Sequence, residues 1–331
     1  MPDGTLTLSM ALSDNERTRP LMDGSVVPKG LTLLCTQLHP SEMFWRQLKF
    51  REFDISEMSL SSLLIAASRG DTTWAAIPVF TSRAFYHTRI LVRKDRGIET
   101  PADLKGKRVG VPEYQQTAAV WSRGALKQCF GVRPEDIDWV MERGKETSHG
   151  ASTGFTAPPG VRLTTVAPGS NIGQMLVAGE LDASLLYLNS VNLVDRSTVT
   201  LEGRSDIGLL FADPSAEARR FHLATGIYPI NHTVVVRRAL LERHPWVALN
   251  LFAAFREASN RARASFEESL ASYAETGLVQ AASARLADPK PYGLAASRGT
   301  LETLVAFIAD QGLLARSVTL EDVFAPSTLG L

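Results

Sequence analysis

Residues 104–118 read LKGKRVGVPEYQQTA, and this stretch indicates the fold class. The apolar residues after Gly106 predict a short strand at 107–111, and a helix is expected to follow from Tyr114 to Phe130. Gly131 is expected to end this helix, because glycine readily adopts the left-handed conformation found just past helix C-termini. A strand that passes into a helix is the repeating unit of α/β proteins with parallel sheets.

The same alternation extends along most of the chain in both directions. Further strands are predicted at 6–12, 30–36, 53–58, 73–80, 88–93, 137–141, 161–166, 181–186 and 227–236. Further helices are predicted at 41–49, capped by Ser41, and at 60–68, 171–178, 239–273 and 300–311. Residues 144–160 are rich in Gly, Ser, Thr and Pro, which favours either an exposed connection or a lid over a ligand. The pattern predicts mainly parallel sheets with helices on both faces.

Length and composition limit the classes of protein that the chain can represent. Its 331 residues favour two lobes, and 35 Lys plus Arg balance 35 Asp plus Glu, so no nucleic-acid or membrane partner is predicted. No apolar stretch is long enough for a membrane span. Residues 1–8 lack the features of a signal peptide, so a cytoplasmic location is expected if Met1 is the native start. Cys35 and Cys129 are expected to be buried thiols.

Five stretches resemble the 4,5-dihydroxyphthalate decarboxylase family. They are 17–24 (RTRPLMDG), 52–62 (EFDISEMSLSS), 77–87 (IPVFTSRAFYH), 104–118 with its continuation to Trp121, and 226–233 (GIYPINHT). Residues 104–111 and 179–183 (GELDA) recur across the wider fold family, whereas PEYQ, SRAFYH and YPINH favour the decarboxylase branch. The resemblance implies a two-lobed type II periplasmic-binding-protein-like fold with a ligand cleft between the lobes. It also implies a discontinuous first lobe, 1–90 plus 230–331, and an inserted second lobe, 91–229, joined by two crossover segments.

Three arginines are candidates for binding a small anion. Arg17 and Arg19 lie two residues apart in the loop after the first predicted strand, and in open α/β sheets ligands bind beyond the carboxyl ends of strands. Arg83 lies in the third resembling stretch. A guanidinium group suits a carboxylate, because it can donate two parallel hydrogen bonds. The alternative for Arg17 and Arg19 is a pair of solvated loop arginines, and the family resemblance favours binding.

Two predicted helix starts provide a second set of anion-binding candidates. Ser59, Ser61 and Ser62 begin the helix after one strand. The equivalent place in the other lobe is held by Tyr114, Gln115, Gln116 and Thr117. A helix N-terminus presents free N–H groups and favours negative charge. Two such ends that face each other across a cleft would clamp an anion. Simple helix capping is the alternative, and it is compatible with binding.

Two histidines and one carboxylate are candidates for acid–base chemistry. If residues 83–89 are extended, Arg83 and His87 lie on one strand face together with Phe85 and Arg89. His232 lies on the returning strand, and Glu57 precedes Ser59 at the same cleft edge. A structural role is the alternative for each of the three. The other four histidines (His39, His149, His222 and His244) lack a comparable context, and three tryptophans (Trp74, Trp139 and Trp246) are expected in the core. No metal is predicted, because no local ligand motif is present.

The resemblance implies decarboxylation of a dihydroxylated aromatic dicarboxylate, 4,5-dihydroxyphthalate, to protocatechuate and CO2. His87 and His232 would then be the acid–base pair, with Glu57 as a weaker candidate. The three arginines, aided by Ser59 and Thr117, would hold the two carboxylates. No cofactor is expected, because the phenol itself provides the electron sink for the electron pair of the C–CO2 bond that breaks. The small aromatic anion is the predicted partner, and the sequence leaves open whether the chain forms a homo-oligomer.

Two other functions are compatible with the same residues. A solute-binding protein would hold an aromatic or dicarboxylic acid without turnover. A chorismate-dehydratase-like enzyme on the same fold would also bind a small dicarboxylate.

Overall fold

A computed structural model describes residues 5–279 and 287–331 of the chain. In these residues the strands are β1 (Leu6–Leu12), β2 (Leu31–Gln37), β3 (Ile55–Ser59), β4 (Trp74–Arg83), β5 (Leu91–Arg93), β6 (Arg108–Val111), β7 (Asp138–Met141), β8 (Arg162–Thr165), β9 (Ala183–Ser184), β10 (Ile207–Leu209) and β11 (Ile230–Arg237). The helices are α1 (Arg19–Met22), α2 (Pro40–Phe50), α3 (Leu60–Ser68), α4 (Thr117–Phe130), α5 (His149–Ser152), α6 (Ile172–Ala178), α7 (Pro214–Thr225), α8 (Arg238–Arg243), α9 (Trp246–Glu275), α10 (Arg298–Asp310) and α11 (Leu320–Val323).

The strands form two sheets, one in each lobe. The first sheet has the order β2-β1-β3-β11-β4, and β11 pairs antiparallel with both of its neighbours, so the other four strands run in one direction. The second sheet has the order β10-β5-β9-β6-β7-β8, and here β5 is the reversed strand. Both sheets are therefore mainly parallel, which confirms the predicted fold class.

The chain passes between the two sheets twice. The first sheet takes its strands from residues 6–83 and 230–237, and the second takes its strands from residues 91–209. Residues 84–90 and 210–229 connect them. The sheets do not fix the residues at which the lobes begin and end, so the boundaries expected at 90/91 and 229/230 stay a prediction.

The hydrophobic core follows this division. The first sheet packs against α9, with Leu251 and Phe255 fully buried. Helix α3 is buried along its whole length between the lobes, and it belongs to a larger cluster that includes α4 and α10. An apolar helix of this kind must be surrounded on all sides, and α3 therefore provides a rigid base where the two lobes meet.

Several helix boundaries agree with the sequence, and others differ for clear local reasons. Strand β1 and helix α3 have the predicted bounds, and Gly131 ends α4 with a φ of 66°. Helix α2 begins at Pro40, and its N-cap is His39 and not Ser41, since proline is favoured in the first helical turn. The helix predicted at 239–273 is two helices, because Pro245 lacks the N–H group that a continuous helix needs.

Residues 84–90 are not extended, contrary to the sequence prediction. Tyr86–Arg89 forms a 3-10 turn after β4 ends at Arg83, so Arg83 and His87 do not share a strand face. Residues 144–160 were expected to be either an exposed connection or a lid, and the middle of this segment folds inward as α5, with His149 and Gly150 buried. Trp246 is 37% exposed, which corrects its predicted core position.

A few sequence expectations concern surfaces and ends. Cys35 and Cys129 are half-buried free thiols. Within 5–279 and 287–331, no helix is both long and apolar enough to cross a bilayer. The prediction that residues 1–8 are not a signal peptide falls partly on the first four residues, which lie outside the described residues.

Candidate active site

A cavity of about 140 Å³ lies where the two lobes meet. Its polar and aromatic lining comes from both lobes and from one connection between them. The first lobe contributes His39, Ser41, Phe44, Ser59 and His232, the second contributes Gln116, Thr117, Arg143 and His149, and the connection contributes Tyr86. Larger grooves, of about 630 and 430 Å³, lie on outer faces of the molecule. The smaller cavity is the candidate site, because ligands of open α/β sheets bind where strands end and ionisable groups converge.

Three helices begin at this cavity. The first turns of α2, α3 and α4 contribute Ser41, Ser59 and Thr117 to the lining or its edge, and these helices have 11, 9 and 14 residues. Each helix N-terminus carries partial positive charge and unpaired N–H groups. The convergence of three such ends makes the cavity favourable for a small anion.

The starts of α3 and α4 meet directly. The hydroxyl groups of Ser59 and Thr117 are 2.9 Å apart, and the Ser61 amide donates to Thr117 Oγ1 at 2.9 Å. The side chain of Gln116 is buried, and its Nε2 has no hydrogen-bond acceptor among the described residues. The cavity therefore has one unused amide donor, and a ligand can also compete for the hydroxyl groups of Ser59 and Thr117.

His232 and Glu57 lie side by side on the first-lobe side. Nδ1 of His232 lies 3.4 Å from Oε2 of Glu57, and the imidazole packs edge-on against Phe44 at a centroid distance of 4.8 Å. Glu57 is fully buried and accepts hydrogen bonds from Ser13 N (2.7 Å), Ser13 Oγ (2.6 Å) and Thr81 Oγ1 (2.8 Å). Because these bonds fix the carboxylate, Glu57 can orient the imidazole at the cavity wall.

Glu57 is held in its ionised form. Burial alone would raise its pKa, but the interactions with His232 and Ser13 outweigh burial and hold the pKa of Glu57 below its ordinary value. A buried carboxylate in this form stabilises positive charge that develops on the neighbouring imidazole.

The second-lobe side of the cavity has a buried arginine. Arg143 donates to Oδ1 of Asp195 at 2.5 Å and to Ser41 Oγ at 2.7 Å, so it also connects the two lobes. Glu113 lies farther from it, at 3.8 Å, and burial raises the pKa of Glu113 to about 7. Arg143 is therefore balanced by Asp195, while Glu113 holds its proton near neutral pH.

His149 is the second imidazole at the cavity. Its Nδ1 lies 2.9 Å from Ser62 Oγ and 3.3 Å from Gln115 Nε2, and its Nε2 lies 3.9 Å from Glu113. Burial, together with the charge of Arg143, lowers the pKa of His149 well below its usual value. The imidazole of His149 is therefore neutral, and it forms part of the cavity wall.

Two curated relatives match the chain closely in sequence. A 4,5-dihydroxyphthalate decarboxylase of Comamonas testosteroni is 34% identical over 329 residues, which is 98% of this chain and 98% of the relative. The chain belongs to the 4,5-dihydroxyphthalate decarboxylase family. A second enzyme of that name, from Pseudomonas putida, is 37% identical over 219 residues, covering 66% of this chain and 82% of the relative.

The family's fold is shared with transport proteins. Residues 42–152 match the family described as ABC transporter, phosphonate, periplasmic substrate-binding protein. The periplasmic aliphatic sulphonate binding protein SsuA of Escherichia coli has a TM-score of 0.54 at 15% identity, covering 96% of this chain and 91% of that chain. The alkanesulfonate-binding protein SsuA of Xanthomonas axonopodis pv. citri, bound to MOPS, has a TM-score of 0.52 at 14% identity, covering 96% and 97%. At these identities the similarity shows the fold alone.

The structure separates the two histidines that the sequence paired. In this decarboxylase-family chain His87 is buried among Phe85, Phe211 and Phe221, and its Nε2 lies 3.3 Å from Glu217. It does not line the cavity. Burial lowers the pKa of His87, more than the nearby Glu217 raises it. The neighbour of His232 across Phe44 is His149, whose ring also contacts Phe44.

The three predicted arginines also lie in different environments. Arg19 is on the surface and pairs with Asp14 at 2.9 Å, so it has the solvated role that was the alternative. Arg17 and Arg83 are turned into the first lobe beside Tyr292, and neither lines the cavity.

The residues predicted at the two helix starts also differ in whether they reach the cavity. Tyr114 is a core residue that stacks on Phe155 under the guanidinium of Arg123, and it is away from the cavity. Ser61 and Gln115 lie just behind the lining, where Ser61 Oγ donates to the Gln115 carbonyl at 2.6 Å. Ser59 and Thr117 are in the lining itself.

Sequence reasoning missed Arg143, His149 and His39 as site residues. Arg143 and His149 follow β7, and His39 follows β2, so all three lie beyond the carboxyl ends of parallel strands. That rule was applied to Arg17 and could have found them as well. Within the described ranges, no three His, Cys, Asp or Glu side chains are grouped closely enough to hold a metal ion.

Proposed function

We propose that the chain decarboxylates 4,5-dihydroxyphthalate to protocatechuate and CO2 in the cavity between its lobes. The observation that carries this proposal is the pair of His232 and the buried, ionised Glu57, which faces a cavity where three helix N-termini meet. The names of the two curated relatives support the same reaction. No cofactor is assigned to it.

The reaction requires a proton on the ring carbon that loses CO2. The phenol para to that carbon gives up its proton and supplies electrons to the ring, and the ring carbon takes a proton as a new C–H bond. The C–CO2 bond then breaks, its electron pair returns to the ring, and the phenol is reprotonated. The imidazole of His232 is suited to move these protons, because its Nδ1 faces Glu57 and the residue lines the cavity.

The two carboxylates of the substrate need hydrogen-bond donors that keep their protons throughout the reaction. The first turns of α3 and α4, with the hydroxyls of Ser59 and Thr117, are suited to one carboxylate. The unpaired Nε2 of Gln116 and the guanidinium of Arg143 are suited to the other. The proposal does not use His87, Arg19 or Tyr114, which lie away from the cavity.

The size of the cavity fits an aromatic ring. Its 140 Å³ are close to the ~150 Å³ of an apolar protein cavity that binds benzene. A ring with four polar substituents is larger, so the lobes must move apart for it to enter and leave. Phe44, Leu186 and Leu188 supply the apolar faces that would hold such a ring.

The direct test is incubation of the purified chain with 4,5-dihydroxyphthalate, with protocatechuate and CO2 measured together in equal amounts. Phthalate is the matched control substrate, because it has both carboxylates and lacks the hydroxyls that supply electrons to the ring. We expect turnover of the first compound and none of the second. Binding of 4,5-dihydroxyphthalate without CO2 release would contradict the proposal.

A solute-binding role is the second candidate. The match of residues 42–152 to a phosphonate substrate-binding family favours it, because those residues contribute Phe44, Ser59, Thr117, Arg143 and His149. In that case calorimetry would detect saturable binding of the aromatic acid, and prolonged incubation would leave it unchanged. The cytoplasmic location and the oligomeric state stay predictions.

A further inference from the structure

Two arginines in the first lobe lie beside each other, Arg17 buried and Arg83 half-buried. Arg17 is 8% exposed, and its guanidinium lies 4.1 Å from the centroid of the Tyr292 ring. Burial, followed by the charge of Arg17, lowers the pKa of Arg83 to about 10. The two cations are therefore close enough to destabilise each other.

Their hydrogen bonds go to neutral acceptors. Arg17 donates to Ser259 Oγ at 3.0 Å and to the Lys290 carbonyl at 2.6 Å. Arg83 donates to the Pro291 carbonyl at 2.9 Å and to Ser297 Oγ at 2.8 Å. Both side chains thus converge on residues 290–292. In the ranges that the structure describes, neither guanidinium has a carboxylate oxygen within 4.0 Å.

Three buried donors in this group have no acceptor among the described residues. They are Nη1 of Arg17, Nε of Arg83 and the hydroxyl of Tyr292. Burial raises the pKa of Tyr292 to about 12, so this hydroxyl holds its proton and can donate. Buried donors without acceptors and buried charges without counter-ions are both costly, and proteins rarely leave several together.

The nearby carboxylates do not supply the missing acceptor. Glu57 is already engaged with Ser13, Thr81 and His232. Asp288 raises the pKa of Arg83 through its charge but makes no ion pair with it. A small anion with several acceptor oxygens would complete the group.

A groove on the outer face reaches this group. It has a volume of about 430 Å³, and Arg17, Ser259, Arg263 and Lys290 lie along it together with acidic residues such as Asp288. Arg17 is common to the groove and to the buried group, so the groove gives a route from solvent to the inner end. The mixed charge of the groove favours a small ion over a large polyanion.

We propose that Arg17, Arg83 and Tyr292 form a second anion site for a small oxyanion, separate from the cavity between the lobes. None of the three residues lines that cavity. The ligand class is a small tetrahedral oxyanion, such as sulfate, that accepts hydrogen bonds from both guanidinium groups. The proposal goes beyond the decarboxylation and does not depend on it.

Calorimetric titration with sodium sulfate, at constant ionic strength, tests the site. In the wild type we expect one saturable sulfate site per chain that depends on Arg17 and Arg83, counted separately from sulfate held in the cavity between the lobes. Arg83→Met and Arg17→Met should each weaken sulfate binding at least tenfold, because each removes a charge-assisted donor. Arg19→Met is the matched control, since Arg19 is in the same loop as Arg17 but is exposed, and it should bind as the wild type does. If an arginine variant does not fold, Tyr292→Phe removes a single donor, and we expect it to bind severalfold more weakly.

A competition experiment separates this site from the cavity. Saturating 3,4-dihydroxybenzoate should leave the sulfate affinity unchanged, because the two ligands occupy different places. Absence of saturable sulfate binding in the wild type would overturn the proposal, as would equal weakening by Arg19→Met. Competitive displacement of the Arg17- and Arg83-dependent sulfate by 3,4-dihydroxybenzoate would also overturn it and would assign the arginines to the cavity ligand. Turnover is not measured, so failure of the decarboxylation would not affect the outcome.

Discussion

His232 differs from the other cavity histidines in its partner. It faces an ionised, fully buried carboxylate, whereas His149 faces Glu113, which holds its proton near neutral pH. His232 is also the more accessible of the two, with a side chain 17% exposed. A proton shuttle needs both an oriented ring and access to the ligand, and His232 lies beside a fixed carboxylate and lines the cavity.

At the residue scale we expect His232→Asn to remove turnover and to spare binding. Loss of a general acid–base group typically lowers the rate about 10²–10⁴-fold. The affinity for 3,4-dihydroxybenzoate, measured by calorimetry, should stay within about tenfold, because asparagine keeps a polar side chain. His244→Asn is the matched control outside the cavity, and His87→Asn should also turn over at close to the wild-type rate. Wild-type turnover by His232→Asn would contradict the assignment.

Glu113 gives a second prediction at this scale, which concerns pH and stability. Its pKa in the folded chain is raised from the ordinary 4.5 to about 7 by burial. Its contribution to stability is therefore fully present below about pH 4.5 and is lost as the pH rises through 7. Relative to Glu113→Gln, the wild type should lose up to about 3 kcal/mol of unfolding free energy across that interval. Urea unfolding of both proteins from pH 4.5 to 8 measures the difference, and parallel pH profiles would argue against a protonated Glu113.

At the scale of elements, the packing of α4 fixes one side of the site. Helix α4 brings Thr117 to the cavity at its first turn and packs its middle against α10. At Gly124 the two helices approach so closely that a Cβ built there would lie 2.0 Å from the Phe307 ring. The glycine lets α10 hold α4 in place, and with it the start of α4 at the cavity.

Gly124→Ala should destabilise the chain by about 1–3 kcal/mol, although alanine normally favours a helix. The added methyl group must displace the Phe307 ring or separate the helices. Gly299→Ala in α10 is the matched control, because nothing lies within 4 Å of its added Cβ, and it should leave stability unchanged or slightly higher. Chemical denaturation of both variants measures the effect. Adding Phe307→Ala to Gly124→Ala should recover part of the loss if the clash is the cause.

At the scale of the whole molecule, direct bonds hold the lobes around the cavity. Trp45 in α2 donates from Nε1 to the Glu146 carbonyl at 2.8 Å, and Lys49 also reaches Glu146. Ser41 and Arg143 join the lobes inside the cleft. A ring that enters the cavity must break such bonds and then allow them to form again, as in hinged closure of two-lobed proteins.

Trp45→Phe removes one bond between the lobes and keeps the aromatic packing. Because that bond exists only when the lobes are closed, we expect weaker binding of 3,4-dihydroxybenzoate, by about fivefold for a bond of about 1 kcal/mol. Trp246→Phe, on the outer face, is the matched control and should bind normally. Calorimetric dissociation constants measure both variants, and equal affinities would show that the Trp45 bond does not contribute to closure.

The sequence by itself determined the local elements and the family. The bounds of β1 and α3, the end of α4 at Gly131 and the alternation of strand and helix follow from periodicity and glycine conformation, which act over a few residues. The similarity spread over five stretches was enough for the decarboxylase family, which the curated relatives confirm.

Only the tertiary structure decided which side chains share the cavity. Arg17 and Arg19 look alike in sequence, but Arg17 is buried because it bonds to Ser259, 242 positions away, and Arg19 is left at the surface. His87 was misplaced by a 3-10 turn. The strand-end rule makes Arg143 and His149 candidates, but it does not tell that they meet His232, because β7 and β11 belong to different sheets and only the packing of the two lobes brings these side chains to one cavity. Burial and charge pairing depend on contacts between distant parts of the chain, and a local pattern does not contain them.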